Sequence, residues 1–138
     1  MLIKLAFFNT IRNARYYKNI NNMKKIDLAY CAGLIDGEGS FGIYRLTSNK
    51  SLLRFKIIIV LTERDGFVLD RIKKILGGNR NHRNRTKSWK SNWKEQEEWY
   101  ITKKLDCLRV AKLVYPYLIL KKKICKIFIN KLIKSLEE

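Results

Sequence analysis

Acid is scarce in this chain relative to base. Twelve Asp and Glu stand against thirty Lys and Arg, so its 138 residues carry a formal charge of +18. An excess of that size along the whole chain points to a polyanionic partner, most simply nucleic acid. Histidine occurs once, at His82, and the three cysteines Cys31, Cys107 and Cys125 are isolated, with no C-x-x-C among them. These two scarcities exclude a zinc finger and a nuclease built on histidine-held metal. They also offer no disulfide framework, and fit buried free thiols in a reducing compartment. No uninterrupted apolar run approaches the ~20 residues of a membrane-spanning helix. A membrane surface is for that reason the weaker alternative, and the interleaving of charge with Trp89, Trp93, Trp99 and Tyr100 favours nucleic acid over mere solubility. Proline occurs once, at Pro116, while Lys, Ile and Asn abound. Those three residues have AT-rich codons, which fits an organellar gene, mitochondrial or chloroplast, or another AT-rich gene.

Periodicity divides what remains. Residues 1–25 hold Lys4, Arg12, Arg15, Lys18, Lys24 and Lys25 and no acid. This basic tail fits a transit peptide, a nucleic-acid-binding arm, or translated upstream sequence with Met23 as the start. Residues 26–138 read as one domain, long enough for a core. A helix is expected over Asp27–Asp36. Strands follow at Ser40–Thr47 and Leu52–Thr62, joined by a polar turn around Ser48, Asn49 and Lys50. In the second strand Leu53, Phe55, Ile57, Ile59 and Leu61 form the core face, alternating with Arg54, Lys56, Ile58 and Val60. A helix over Val68–Leu76, with Phe67, Leu69, Ile72, Ile75 and Leu76 as its apolar side, stops at Gly77-Gly78. Asn79–Lys94 reads as a basic loop or distorted hairpin, Gln96–Thr102 as a strand and Asp106–Val114 as a helix. Pro116 breaks the chain before a last helix, Leu118–Leu136, with Ile124, Ile127, Phe128 and Leu136 on its packed face.

The first helix carries the most informative stretch, Leu28 to Phe41. Ala29, Gly33 and Gly37 fall at i, i+4 and i+8, so one helix face has no bulk and another backbone can approach it closely. The glycines at 37 and 39 suit a helix end. Glu38 therefore stands at a helix C-terminus, where the backbone dipole disfavours negative charge. Were the strip to join two copies of the chain, two Glu38 carboxylates at ~5 Å and an effective dielectric near 20 would repel by roughly 3 kcal/mol. A divalent cation reverses that sign, and carboxylate with backbone carbonyl is what Mg²⁺ accepts. Gly37-Glu38-Gly39-Ser40-Phe41-Gly42 also fits G-x-G-x-x-G. A dinucleotide fingerprint, however, follows a strand and opens a helix, whereas this one follows a helix and opens a strand. A plain helix cap needs one glycine, not three.

Cys31-Ala32-Gly33-Leu34-Ile35-Asp36-Gly37-Glu38-Gly39 resembles the signature of the LAGLIDADG homing endonucleases. Cys31 stands for the first leucine, Gly37 for the second alanine and Glu38 for the second aspartate. The order of elements after it resembles the same family. The resemblance implies an α+β fold, αββαββα, in which a four-stranded antiparallel saddle packs against helices. With one motif in the chain it also implies a homodimer joined along Ala29, Gly33 and Gly37, with Asp36 fixing the end of the helix. Glu38 and the Gly37 carbonyl would hold Mg²⁺ (or Mn²⁺). Lys121, which follows Pro116-Tyr117-Leu118-Ile119-Leu120, would place charge at the phosphate, and Glu63 stands where the family commonly has a water-ordering Gln. The DNA-facing set would be Ser40, Gly42, Tyr44, Arg54, Lys56, Gln96, Glu98, Tyr100 and Thr102, with Arg80, Arg83 and Arg85 beside it. The implied activity is site-specific cleavage of double-stranded DNA by an intron-encoded enzyme. The alternative is a catalytically silent binder of structured RNA on the same fold, a maturase or a ribosomal or other ribonucleoprotein component.

Overall fold

The computed structural model of the chain describes residues 25–48, 52–83 and 95–137. In these, α1 (Lys25–Glu38) leads into β1 (Gly39–Arg45) and β2 (Leu53–Thr62). A 3-10 turn (Glu63–Asp65) precedes α2 (Phe67–Leu76), which β3 (Asn79–Arg83) and β4 (Gln96–Ile101) follow. α3 (Lys104–Val114), a second 3-10 turn (Tyr115–Tyr117) and α4 (Lys122–Glu137) complete the order. The strands form one antiparallel sheet in the order β1-β2-β4-β3.

Alternation in the central strands builds the core. Phe55, Ile57 and Ile59 of β2 and Trp99 and Ile101 of β4 are buried against the helices. Each such side chain contributes about 1.5–3 kcal/mol of hydrophobic stabilisation. α1 meets them with Leu28, Cys31, Ala32 and Ile35, spaced as one helical stripe. α3 adds Cys107, Leu108, Val110, Ala111 and Val114, and α4 adds Cys125, Phe128 and Leu132. The Phe128 ring lies 5.3 Å from that of Phe41 and 5.5 Å from that of Phe55. All three cysteines are free and buried, and burial pushes their thiols up to about 12. α2 ends where Gly77 and Gly78 take φ of 77° and 95°, a region open to glycine. A Cβ at Gly78 would also lie 2.8 Å from Trp99 Nε1. That indole nitrogen donates to the Gly77 carbonyl at 2.7 Å, so the buried Trp99 leaves no polar atom unpaired.

Of the two readings of Asn79–Lys94, loop or distorted hairpin, the described part fits the hairpin, since Asn79–Arg83 is a strand paired with β4 along Trp99 and its neighbours. Some expectations need correction. Phe67 is 73 % exposed, since it precedes the apolar stripe Leu69, Ile72 and Leu76. Ile124 and Ile127 are about half exposed, because α4 packs through Cys125, Phe128 and Leu132 instead. α4 begins at Lys122 and not at Leu118, for a reason that lies in α1. No helix among the described residues is long and apolar enough to cross a membrane. The tail over residues 1–24, the turn at Asn49 and Lys50, and Arg85, Trp89 and Trp93 lie outside the described residues.

Candidate functional site

The end of α1 is locked to the start of α4 from both sides. The Asp36 carboxylate accepts the backbone N–H groups of Ile119 at 2.7 Å, Leu120 at 3.2 Å and Lys121 at 2.9 Å. Three consecutive N–H groups turned toward one carboxylate form an anion-binding nest. This holds residues 119–121 out of helical conformation, so α4 starts after them. Burial works against the charged form of Asp36, but the three N–H bonds and the Lys121 charge outweigh it and hold the carboxyl below its ordinary pKa. In return Lys121 Nζ donates to the carbonyls of Asp36 at 2.6 Å and Ile35 at 3.1 Å. A cation there satisfies carbonyls that a helix end leaves without partners. Asp36 thus fixes the helix junction, and its carboxylate is engaged within the chain rather than along the small-residue strip.

Glu38 is the last residue of α1, exposed, and among the described residues its side chain makes no hydrogen bond or ion pair. An acid that no cation among the described residues engages has its oxygens available to a ligand. A hard divalent cation fits this donor set, an unengaged carboxylate next to the carbonyl of Gly37. The strip leading to it is open: Ala29, Gly33 and Gly37 are exposed, and a Cβ at either glycine would meet nothing within 4 Å. Ile26 and Tyr30 beside it are 73 % and 47 % exposed.

Next to this helix end lies the sheet face that no described helix covers. Register puts Ser40 opposite Ile58, Tyr44 opposite Arg54, and Gly42 opposite Lys56. On the far side Ile58 faces Tyr100, Val60 faces Glu98, and Thr62 faces Gln96. β3 adds Asn79, Asn81 and Arg83, opposite Tyr100, Glu98 and Gln96. Directly opposed residues share a face, so Ser40, Gly42, Tyr44, Arg54, Lys56, Gln96, Glu98, Tyr100 and Arg83 stand together as expected. Lys56 Nζ lies 4.9 Å from the centre of the Tyr100 ring. Glu98 is buried on this face: Asn81 Nδ2 donates to it at 3.2 Å, and Arg83 Nε forms an ion pair with it at 2.7 Å. The face can present cations to phosphates, and Arg, Asn and Gln to base edges.

Three expected members are elsewhere, and the first, Thr102, lies beyond β4, which ends at Ile101. Arg80 points to the helix side, where Nε pairs with Asp70 at 2.9 Å and Nη1 with Glu97 at 3.0 Å. Strict alternation within Asn79-Arg80-Asn81-His82-Arg83 would have separated it from Arg83 and singled out Asn79 and Asn81, which composition alone passes over. Glu63 is not brought to Glu38. Gly39 pairs with Ile59, and Glu63 is four residues further on, roughly 13 Å at the rise of an extended strand. It stands instead with His82 and Glu95.

A family model described as LAGLIDADG endonuclease matches residues 31–136. Among solved structures, the chain superposes on the homing endonuclease I-CvuI in complex with the I-CreI target with a TM-score of 0.69. Identity there is 21 %, over 81 % of this chain and 69 % of that one. The homing endonuclease I-TnaI gives a TM-score of 0.61 at 26 % identity, over 83 % of this chain and 75 % of that one. I-GzeII in complex with its DNA target gives 0.65 at 23 %, over 84 % of this chain but only 38 % of that longer one. No curated protein matches the chain closely enough to count as a relative.

Proposed function

This chain belongs to the LAGLIDADG endonuclease family, and from that premise we propose that it is a homodimeric, site-specific endonuclease of double-stranded DNA, encoded within an intron of an AT-rich organellar genome. The observation that carries the reading is Glu38: an exposed acid that makes no hydrogen bond or ion pair among the described residues, at the end of an open small-residue strip and beside a sheet face that carries Arg, Lys, Asn and Gln.

Each part then has a task. The strip Ala29–Gly33–Gly37 packs against its copy, which brings the two Glu38 carboxylates and the two sheets to one duplex. Arg54 and Lys56 with Arg83 fix the duplex by its phosphates, and Asn79, Asn81, Gln96 and Ser40 meet base edges in the major groove. Glu38 and the Gly37 carbonyl would hold Mg²⁺ or Mn²⁺, which supplies positive charge where negative charge develops on the scissile phosphate. Lys121, whose amine stands at the Asp36 carbonyl two residues before Glu38, adds fixed positive charge at the same helix end. One Glu38 per subunit gives one cut per strand, and so a staggered break.

The test is Glu38→Gln. Removing this carboxylate should lower cleavage by about 10²–10³-fold or more while DNA affinity stays within about twofold, because Glu38 is exposed and makes no hydrogen bond or ion pair to the sheet face among the described residues. Undiminished cleavage would remove Glu38 from the mechanism. Retained RNA binding by a protein that never cuts DNA would favour the ribonucleoprotein reading.

A further inference from the structure

The only histidine of the chain stands in a setting that neither the endonuclease reading nor the fold requires. His82 on β3 faces Glu97 on β4, and Nδ1 lies 2.6 Å from Glu97 Oε1. Its other nitrogen, Nε2, lies 3.1 Å from Glu95 Oε2. Glu63 joins them from the turn after β2: ligand atoms of Glu63, His82 and Glu95 all lie within 4.8 Å of one another. Three of only twelve acids in the chain thus gather on its one imidazole.

The bonding of the ring makes this more than a patch of acids. A neutral imidazole donates from one nitrogen only. With Nδ1–H given to Glu97, the Nε2 lone pair points at the lone pairs of Glu95, and Glu63 brings a further acceptor. Either a second proton or a cation must stand between them. We propose that Glu63, His82 Nε2 and Glu95 form a second divalent-metal site, separate from Glu38, that takes a first-row transition ion of the Zn²⁺ class.

Geometry and donor chemistry support it. Three atoms within 4.8 Å of one another have a common centre no more than about 2.8 Å from each. Zinc bonds to imidazole nitrogen and carboxylate oxygen run about 2.0–2.2 Å, so a small closure of the exposed Glu63 and half-exposed His82 completes the set. An imidazole with two carboxylates suits Zn²⁺ or Mn²⁺, whereas Mg²⁺ prefers oxygen alone and keeps its water. Glu97 occupies the place of the carboxylate that orients a metal-bound histidine from behind. It is itself held, since Arg80 binds its other oxygen at 3.0 Å and Asp70 at 2.9 Å. The backbone pins the two carboxylates together, with Glu63 N–H donating to the Glu95 carbonyl at 3.0 Å. Glu63 and Glu95, though not His82, also line an open recess of about 320 Å³ with Thr62 and Arg64, so water reaches these two carboxylates. Three protein ligands leave a coordination position to that water. An ion here ties the turn after β2 and the start of the central strand β4 to the edge strand β3, and so steadies the side of the sheet that carries Asn79, Asn81 and Arg83.

A single histidine makes the test direct. Zn²⁺ is titrated into the untagged, nucleic-acid-free chain while the imidazole proton and nitrogen resonances are followed by NMR. One equivalent should move the His82 signals to a new position and abolish their titration over the pH range in which the metal-free ring protonates. Equimolar Mg²⁺ should leave them in place. Glu63→Gln and Glu95→Gln should each weaken Zn²⁺ binding by about tenfold or more, and Glu97→Gln by about tenfold. The proposal is overturned if His82 still titrates in Zn²⁺ as it does without it. It is overturned equally if Zn²⁺ affinity is unchanged in both Glu63→Gln and Glu95→Gln, which would leave only a lone surface histidine.

Discussion

Replacing Asp36 by Ala tests the junction on which the position of Glu38 depends. The substitution removes a carboxylate that accepts three backbone N–H groups at 2.7, 2.9 and 3.2 Å and leaves those donors to find water. A hydrogen bond to a charged group contributes about 1.5–3 kcal/mol net. The three share one half-buried carboxylate, so they do not add in full, and a loss of about 3 kcal/mol is expected. That is a large part of the ~5–15 kcal/mol that holds a domain together. It should lower Tm by roughly 10 °C. Asp36→Asn keeps one acceptor oxygen and should lose about half as much. The pH dependence has a definite sign. Folding depresses the Asp36 pKa, so its contribution is fully present above the ordinary 3.8 and is lost as pH falls through the lower folded value. Urea unfolding of both proteins by circular dichroism should therefore show a gap that is widest above pH 3.8 and narrows below it. A gap under about 0.5 kcal/mol at neutral pH, the scale of an ordinary surface change, would refute the reasoning.

Three further outcomes follow from other parts of the molecule. Gly33→Leu meets open space in the single chain and trades glycine for a good helix former, so the monomer should gain about 1 kcal/mol while sedimentation shows the dimer lost; an intact dimer would refute the strip as its seam. Glu97 raises the His82 pKa through their hydrogen bond, and His82 lowers that of Glu97 by the same bond. In metal-free protein the His82 contribution is fully present below the ordinary 6.5 and is lost as pH rises through its folded value, while that of Glu97 is present above 4.5 and lost as pH falls through its own. The stability gap between the natural chain and Glu97→Gln should accordingly be widest from pH 4.5 to 6.5, and His82 in the variant should titrate lower by NMR; a gap that grows above pH 7 would contradict the pairing. Arg54→Ala and Lys56→Ala should each reduce the slope of log K for DNA against log salt by about 1.8 for the bound dimer, one phosphate contact being lost per subunit, measured by fluorescence anisotropy, and an unchanged slope would take that residue off the phosphates.

Much of this was legible because two periods dominate the sequence. The alternation from Leu53 to Leu61 fixes which side of β2 enters the core, and the spacing of Ala29, Gly33 and Gly37 marks a face that the folded chain leaves open. The order helix, strand, strand was likewise enough to reject a dinucleotide loop at Gly37–Gly42, and the structure has that order. What escaped depends on partners distant in sequence. The late start of α4 is set by Asp36, more than eighty residues earlier. Arg80 was grouped with Arg83 by charge, but the pairing of β3 with Trp99 and Glu98 sends the two to opposite faces. The gathering of Glu63, Glu95 and Glu97 on His82 was hidden for the same reason. A count of histidines bears on zinc fingers, not on what three separate segments bring together.

On the proposed reading the open end of α1, with Glu38, cuts DNA. This is tested most directly by incubating the protein with a plasmid library of random and organellar inserts, in Mg²⁺ and in EDTA, and sequencing every end produced. Discrete staggered cuts at one sequence in Mg²⁺, absent in EDTA and absent for Glu38→Gln, are the result expected. No cuts in Mg²⁺ or Mn²⁺ from a folded, DNA-binding dimer would contradict it.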